Sequence, residues 1–236
     1  MKKVVSVLVA VCFVLLMANT ALSALAYNFY FDDPKDDAIG VSGFETYGME
    51  MNYPGSSSNP ISFRIFTNFP EEGISVASWD TLPADIFITE TVGGESYLWA
   101  VPLVEHDGFT PGGFYAVDDY YVSDDLVPSS GNYIYNENVP VWTSEKGNNY
   151  GWSQFGGGSV DWQDSSSDLY DYEINVTTGV WQNYSNADFD IVWGTATCAN
   201  DVVTGTTVPE PATMTLFGVG LLVSGILLRK KKLRSN

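Results

Sequence analysis

The chain reads as an all-β protein. Its body is expected to be an antiparallel β-sandwich, jelly-roll-like in outline, between an N-terminal signal peptide and a single C-terminal transmembrane helix. Two observations predict the sandwich. Apolar residues in the body recur with a period of two, not 3.6, which is the mark of strands with one dry face. Clusters of Gly, Pro, Ser and Asn punctuate the chain at short intervals, and no stretch of the body offers three turns of amphipathic helix. A third observation sets the termini apart: both ends are apolar and basic, while the middle is acidic and aromatic.

From the N-terminus, Lys2 and Lys3 form a positive start, and Val4 to Met17 is apolar and uncharged. Ala24-Leu25-Ala26 supplies the small residues wanted before a cut, so residues 1–26 read as a secretory signal peptide cleaved between Ala26 and Tyr27. Cys12 is no lipoprotein site, because Val11 stands where a small residue is needed.

The body, residues 27–200, has strand candidates at 62–68, 85–91, 97–104, 114–122 and 132–135. The plainest case is 171–177, where Tyr172, Ile174 and Val176 share one face and Asp171, Glu173, Asn175 and Thr177 the other. Thr178-Gly179 reads as the turn after it, 180–184 as a second strand, and 188–197 as a third with Phe189, Ile191 and Trp193 on one face. Together they suggest an antiparallel meander. Residues 201–208, rich in Val, Thr and Gly and free of aromatics, read as a linker.

The last segment, 209–236, has three parts. Pro209-Glu210-Pro211 is extended and rigid, because each proline fixes its own φ and pushes its predecessor out of the helical region. Residues 212–228 form an apolar run. From Thr213 to Leu228 a helix would be about 24 Å long at ~1.5 Å per residue, just short of a bilayer core of about 30 Å. Arg229, Lys230, Lys231, Lys232 and Arg234 then form a basic stop that stays on the cytoplasmic side.

This order of parts resembles the PEP-CTERM sorting signal of bacterial exosortase substrates, with Pro209, Glu210 and Pro211 as its motif. Two stretches of the body are also similar to segments of such proteins. One is Trp193-Gly194-Thr195-Ala196-Thr197-Cys198-Ala199-Asn200-Asp201. The other is Val101-Pro102-Leu103 with His106-Asp107-Gly108 and Ser123-Asp124-Asp125. The resemblance implies an exosortase partner, a Gram-negative and exopolysaccharide-making host, and a surface or extracellular-matrix destination. Signal peptidase and the general secretory machinery would handle the other end. The resemblance carries over no catalytic residue.

Charge and cysteines narrow the role of the body. Residues 27–208 keep three basic residues, Lys35, Arg64 and Lys146, against 28 acidic ones, a net charge of −25. Such a surface repels nucleic acid and anionic membrane and favours cations. All seven Trp, all fourteen Tyr and eleven of the thirteen Phe lie in the same stretch, enough large apolar surface to build a core. Cys198 is alone once the signal is removed, so it is either buried or paired between molecules.

Candidate chemistry is sparse. His106, the sole histidine, sits in Glu105-His106-Asp107-Gly108, where a loop histidine bonded to a carboxylate is the plainest reading. Two Asp clusters offer hard oxygen ligands suited to calcium: Asp32, Asp33, Asp36 and Asp37, and Asp118, Asp119, Asp124 and Asp125. Trp142, Tyr150, Trp152 and Trp162 lie among Gly, Asn, Gln and Ser, where they could stack on sugar rings or fold down over the sandwich. The expected function is a non-enzymatic structural or interaction protein of the cell surface, with exopolysaccharide a candidate partner. The alternatives are a carbohydrate-binding module, calcium-dependent or not, and a secreted glycosidase or esterase.

Overall fold

The computed structural model describes residues 27–53, 60–76, 79–129, 133–144, 157–180 and 188–207, with Gly220. The proposed signal peptide with Ala24 and Ala26, the motif Pro209-Glu210-Pro211, the segment 212–228 apart from Gly220, the basic stop, Tyr150 and Trp152 lie outside the described residues. Among the described residues no helix is long and apolar enough to cross a membrane.

Two five-stranded antiparallel sheets make the body. The first runs β1 (Tyr27–Asp32), β2 (Thr46–Tyr53), β3 (Pro60–Thr67), β12 (Tyr172–Val180), β11 (Ser159–Asp164) in spatial order. The second runs β14 (Val202–Thr207), β13 (Asp188–Gly194), β6 (Ile86–Val92), β7 (Glu95–Val101), β8 (Tyr115–Ala116). Two short ribbons lie beside them: β4 (Ile74–Val76) with β5 (Trp79–Thr81), and β9 (Tyr120–Val122) with β10 (Pro140–Thr143). Described helix is confined to a 3-10 turn at Ser42–Phe44 and α1 (Ser123–Leu126), apart from the single helical residue Gly220.

Alternation produces the sandwich. Met49, Met51, Ile61, Phe63, Ile65, Ile174 and Val176 line the inner face of the first sheet; Ile86, Ile88, Val101, Phe189, Ile191 and Trp193 line that of the second. All belong to one buried cluster between the sheets. Each such side chain taken fully from water contributes about 1.5–3 kcal/mol, which makes this cluster the main source of cohesion. The outer face of the first sheet is polar. There Arg64 on β3 bridges Glu50 on β2 at 2.9 Å and Glu173 on β12 at 3.0 Å. Exposed pairs of this kind add about 0–1 kcal/mol.

Several sequence expectations are corrected by this topology. The outline is not jelly-roll-like. Each sheet is a three-strand meander, β1–β3 or β6–β8, extended at one end by a later hairpin, β11–β12 or β13–β14, where a jelly roll would alternate strand by strand between sheets. The expected meander over 171–197 does not form, because β12 and β13 belong to opposite sheets. Thr178-Gly179 is no turn; it continues β12, and the ladder with β3 shifts register between Thr177 and Val180. Residues 181–184 lie outside the described set. The candidate strand 114–122 splits into β8 and β9, and residues 133–135 form no strand. Of the linker expected at 201–208, residues 202–207 are instead β14, and Asp201 is the bend before it. The strand pairs with β13 from Gly194–Val202 to Phe189–Thr207, and Val203 and Thr207 are buried.

Candidate metal centre

The chain leaves β1 at Asp32 and turns inward, so Asp33 is buried while Asp36 and Asp37 stay exposed. Asp36 has a φ of 69°, a left-handed turn position that Asp tolerates better than most residues. The returning loop is fastened to the segment just before β14. Ile39 N donates to the Asn200 carbonyl at 2.7 Å, and Asn200 Nδ2 donates back to the Ile39 carbonyl. The next residue, Asp201, is buried and fixed by two amides: Thr46 N donates to its Oδ2 at 2.6 Å and Val202 N to its Oδ1 at 2.9 Å. Glu45, also buried, accepts from Asp36 N.

The result brings the carboxylates of Asp33, Asp37 and Asp201 together, with one oxygen from each lying within 4.8 Å of the others. Among the described residues it is the only such group of three. Asp33 Oδ2 is buried and has no hydrogen-bond partner. Burial, followed by the charges of Asp201 and Asp37, a side-chain hydrogen bond between the Asp33 and Asp201 carboxyls, and the charge of Glu45, raises Asp33 well above the usual carboxylate range. Burial also raises Asp201, reinforced by Asp37 and Glu45, although the amides of Thr46 and Val202 act in the opposite sense. Electrostatically such a group favours a cation. Hard carboxylate oxygens at this spacing suit a hard divalent ion.

Of the first acidic cluster, then, Asp33 and Asp37 converge while Asp32 and Asp36 do not join them. Sequence reasoning missed Asp201 and Glu45. The only available signal was the Asn200-Asp201 pair at the end of a segment already singled out. The second acidic cluster is not gathered into a group of three. Asp125 Oδ2 accepts from Val122 N at 3.2 Å at the start of α1, Asp124 Oδ2 accepts from Asn138 N at 2.5 Å, and Asp119 Oδ1 accepts from Tyr120 N at 2.9 Å. Asp118 stands beside them in the bend before β9.

The other candidates are placed as follows. His106 Nε2 lies 3.0 Å from Asp85 Oδ1, and Asp85 also accepts from Thr143 N and Thr143 Oγ1 at 2.7 and 2.6 Å. His106 Nδ1 has no hydrogen-bond partner, so no hydroxyl is bonded to either ring nitrogen among the described residues. Asp107-Gly108, with φ of 45° and 85°, makes the tight turn that returns the chain from His106 to Phe109. The Trp142 ring lies 3.9 Å from that of His106, and its Nε1 donates to Asp107 Oδ2 at 3.2 Å. Trp162 packs against the main core. Cys198 is buried beside Phe44 and Phe69, and burial pushes its thiol up to about 12.

Residues 207–232 match the family model of the PEP-CTERM protein-sorting motif. No curated protein and no solved structure matches the chain.

Proposed function

We propose that the β-sandwich body has a structural or interaction role at the surface, or in the extracellular matrix, of a Gram-negative, exopolysaccharide-making cell. The observation that carries the reading is the sorting motif at 207–232. A PEP-CTERM motif implies an exported, membrane-anchored precursor that an exosortase processes on its way to the surface. The order of parts in the tail supports it: Pro209-Glu210-Pro211, then an apolar run, then a basic end. The acidic body supports it too, since a net charge of −25 over residues 27–208 keeps the product soluble and off anionic membrane. Sugar stacking by Trp142 and Trp162 is not part of the proposal. One ring lies against His106 and the other against the core.

The test replaces Pro209, Glu210 and Pro211 with alanine in a host carrying the matching exosortase. The apolar run and basic stop are untouched, so the precursor should still insert but accumulate uncut in the membrane. Mass spectrometry of the wild-type product should show a C-terminus upstream of Asn236. A wild-type product that still ends at Asn236 overturns the processing half of the reading.

A further inference from the structure

We propose that Asp33, Asp37 and Asp201 bind a calcium ion that fastens the exit of β1 to the entry of β14. The proposal is independent of the sorting motif and rests on the body alone.

Two separate observations point to a ligand. One is convergence: three carboxylates from opposite ends of the body present oxygens within 4.8 Å of one another. Two oxygens bound to the same calcium at about 2.3–2.6 Å can be at most about 5 Å apart, so each pair of these oxygens is close enough to share one ion, with a small closing movement of exposed Asp37 where the spacing is widest. The other is Asp33 itself. It is only 8% exposed, and its Oδ2 has no hydrogen-bond partner although its carboxylate belongs to the group. Buried polar atoms nearly always find a partner, and a buried carboxylate among other acids has the strongest need of one.

Position gives the ion a task. Asp33 directly follows β1, the edge of the first sheet, and Asp201 directly precedes β14, the edge of the second. These two edges already meet, because a Cβ on Gly205 of β14 would lie 1.8 Å from the Phe31 ring of β1. A cation at the aspartates would pin the same two edges at one end. Asp201 is well suited as the fixed ligand, held by the amides of Thr46 and Val202, while exposed Asp37 closes the site from the solvent side. Glu45 adds negative charge close by without joining the group of three. Calcium suits such a site better than magnesium, which demands near-ideal octahedral geometry and gives up its water reluctantly.

The experiment uses the full chain in non-ionic detergent. Calcium binding is measured by equilibrium dialysis at physiological salt, and thermal unfolding is followed in CaCl₂, in MgCl₂, and in NaCl matched for ionic strength. Wild type should take up one calcium per chain and unfold at a higher temperature in CaCl₂ than in either control. Asp37→Asn, an exposed change, should fold normally yet weaken calcium binding by roughly tenfold or more, because ligand charge sets affinity in such sites. Asp33→Asn should unfold at a higher temperature than wild type without calcium and should lose the calcium response. Asp201→Asn is less informative, since that side chain also holds Thr46. Equal unfolding temperatures in calcium, magnesium and matched NaCl overturn the proposal. So does an unchanged calcium affinity in both Asp33→Asn and Asp37→Asn.

Discussion

Glu90 is a carboxyl placed inside an apolar core, and its protonation should be readable as stability. It lies on β6 two residues beyond Ile88 and four beyond Ile86, on the inward face, and is fully buried. Trp99 Nε1 donates to its Oε2 at 3.1 Å, while Oε1 has no partner. Burial raises its pKa from 4.5 to about 7, against the opposing pull of the Trp99 hydrogen bond. A folded pKa above the unfolded one gives stability that is whole below about 4.5 and is lost as pH rises through about 7. At ~1.4 kcal/mol per pH unit of separation, the loss is ~3 kcal/mol. Glu90→Gln removes the titration and keeps the shape. Its amide has its own cost, but that cost does not vary with pH. The stability of the variant minus that of wild type should therefore rise by ~3 kcal/mol between pH ~4.5 and pH ~8.5. Taking the difference is essential, because Asp33 and Asp201 also have raised pKa values and cancel in it. Urea unfolding of the full chain in detergent, followed by tryptophan fluorescence, reports the body, since all seven Trp lie between residues 79 and 193. A difference that stays constant within about 0.5 kcal/mol across that range refutes the reasoning and means that water reaches the carboxylate.

Two further outcomes follow from packing. Cys198, buried and with its thiol pushed up to about 12, should resist alkylation at pH ~8 in the native protein and react only in denaturant. Non-reducing electrophoresis of that material should show no disulfide-linked dimer. Gly205→Ala would force a methyl into the Phe31 ring, at 1.8 Å from its nearest atom, and should destabilise by about 1–3 kcal/mol. Adding Phe31→Leu should recover part of that loss, and strict additivity of the two changes in thermal unfolding would count against the contact.

Local alternation was legible where it was strongest. Ile174 and Val176 face the core as their spacing predicts, and so do Phe189, Ile191 and Trp193. Alternation reveals a dry face but not which sheet the face belongs to, so two strands separated by seven residues passed for the first and third strands of one meander when they face each other across the core. Gly179 suggested a turn, yet a shift of register absorbs it within β12. β14 was misread because its small residues, taken for slack, are what close packing needs: Gly205 has the Phe31 ring where a side chain would be. Asp33 and Asp37 were visible as a pair, but Asp201 reaches them only through long-range pairing that no spacing rule shows. Crowding in sequence misled at 118–125, because backbone amides of Tyr120, Val122 and Asn138 occupy carboxylates there.

The absence of slack at β14 has a mechanical side. Thr207 is the last described residue of β14 and Pro209, two positions on, opens the motif, so the chain from one to the other spans no more than about 7 Å. A cut at or just beyond the motif leaves almost no stalk. Anything joined to such an end would hang from the tip of a paired strand. Tension along that strand loads the six rungs from Gly194–Val202 to Phe189–Thr207 in shear, all together. Tension across the strand would open them one at a time, like a zipper. The far end of β14 is tied down at Asp201 by the amides of Thr46 and Val202, which places an anchor opposite the point of pull.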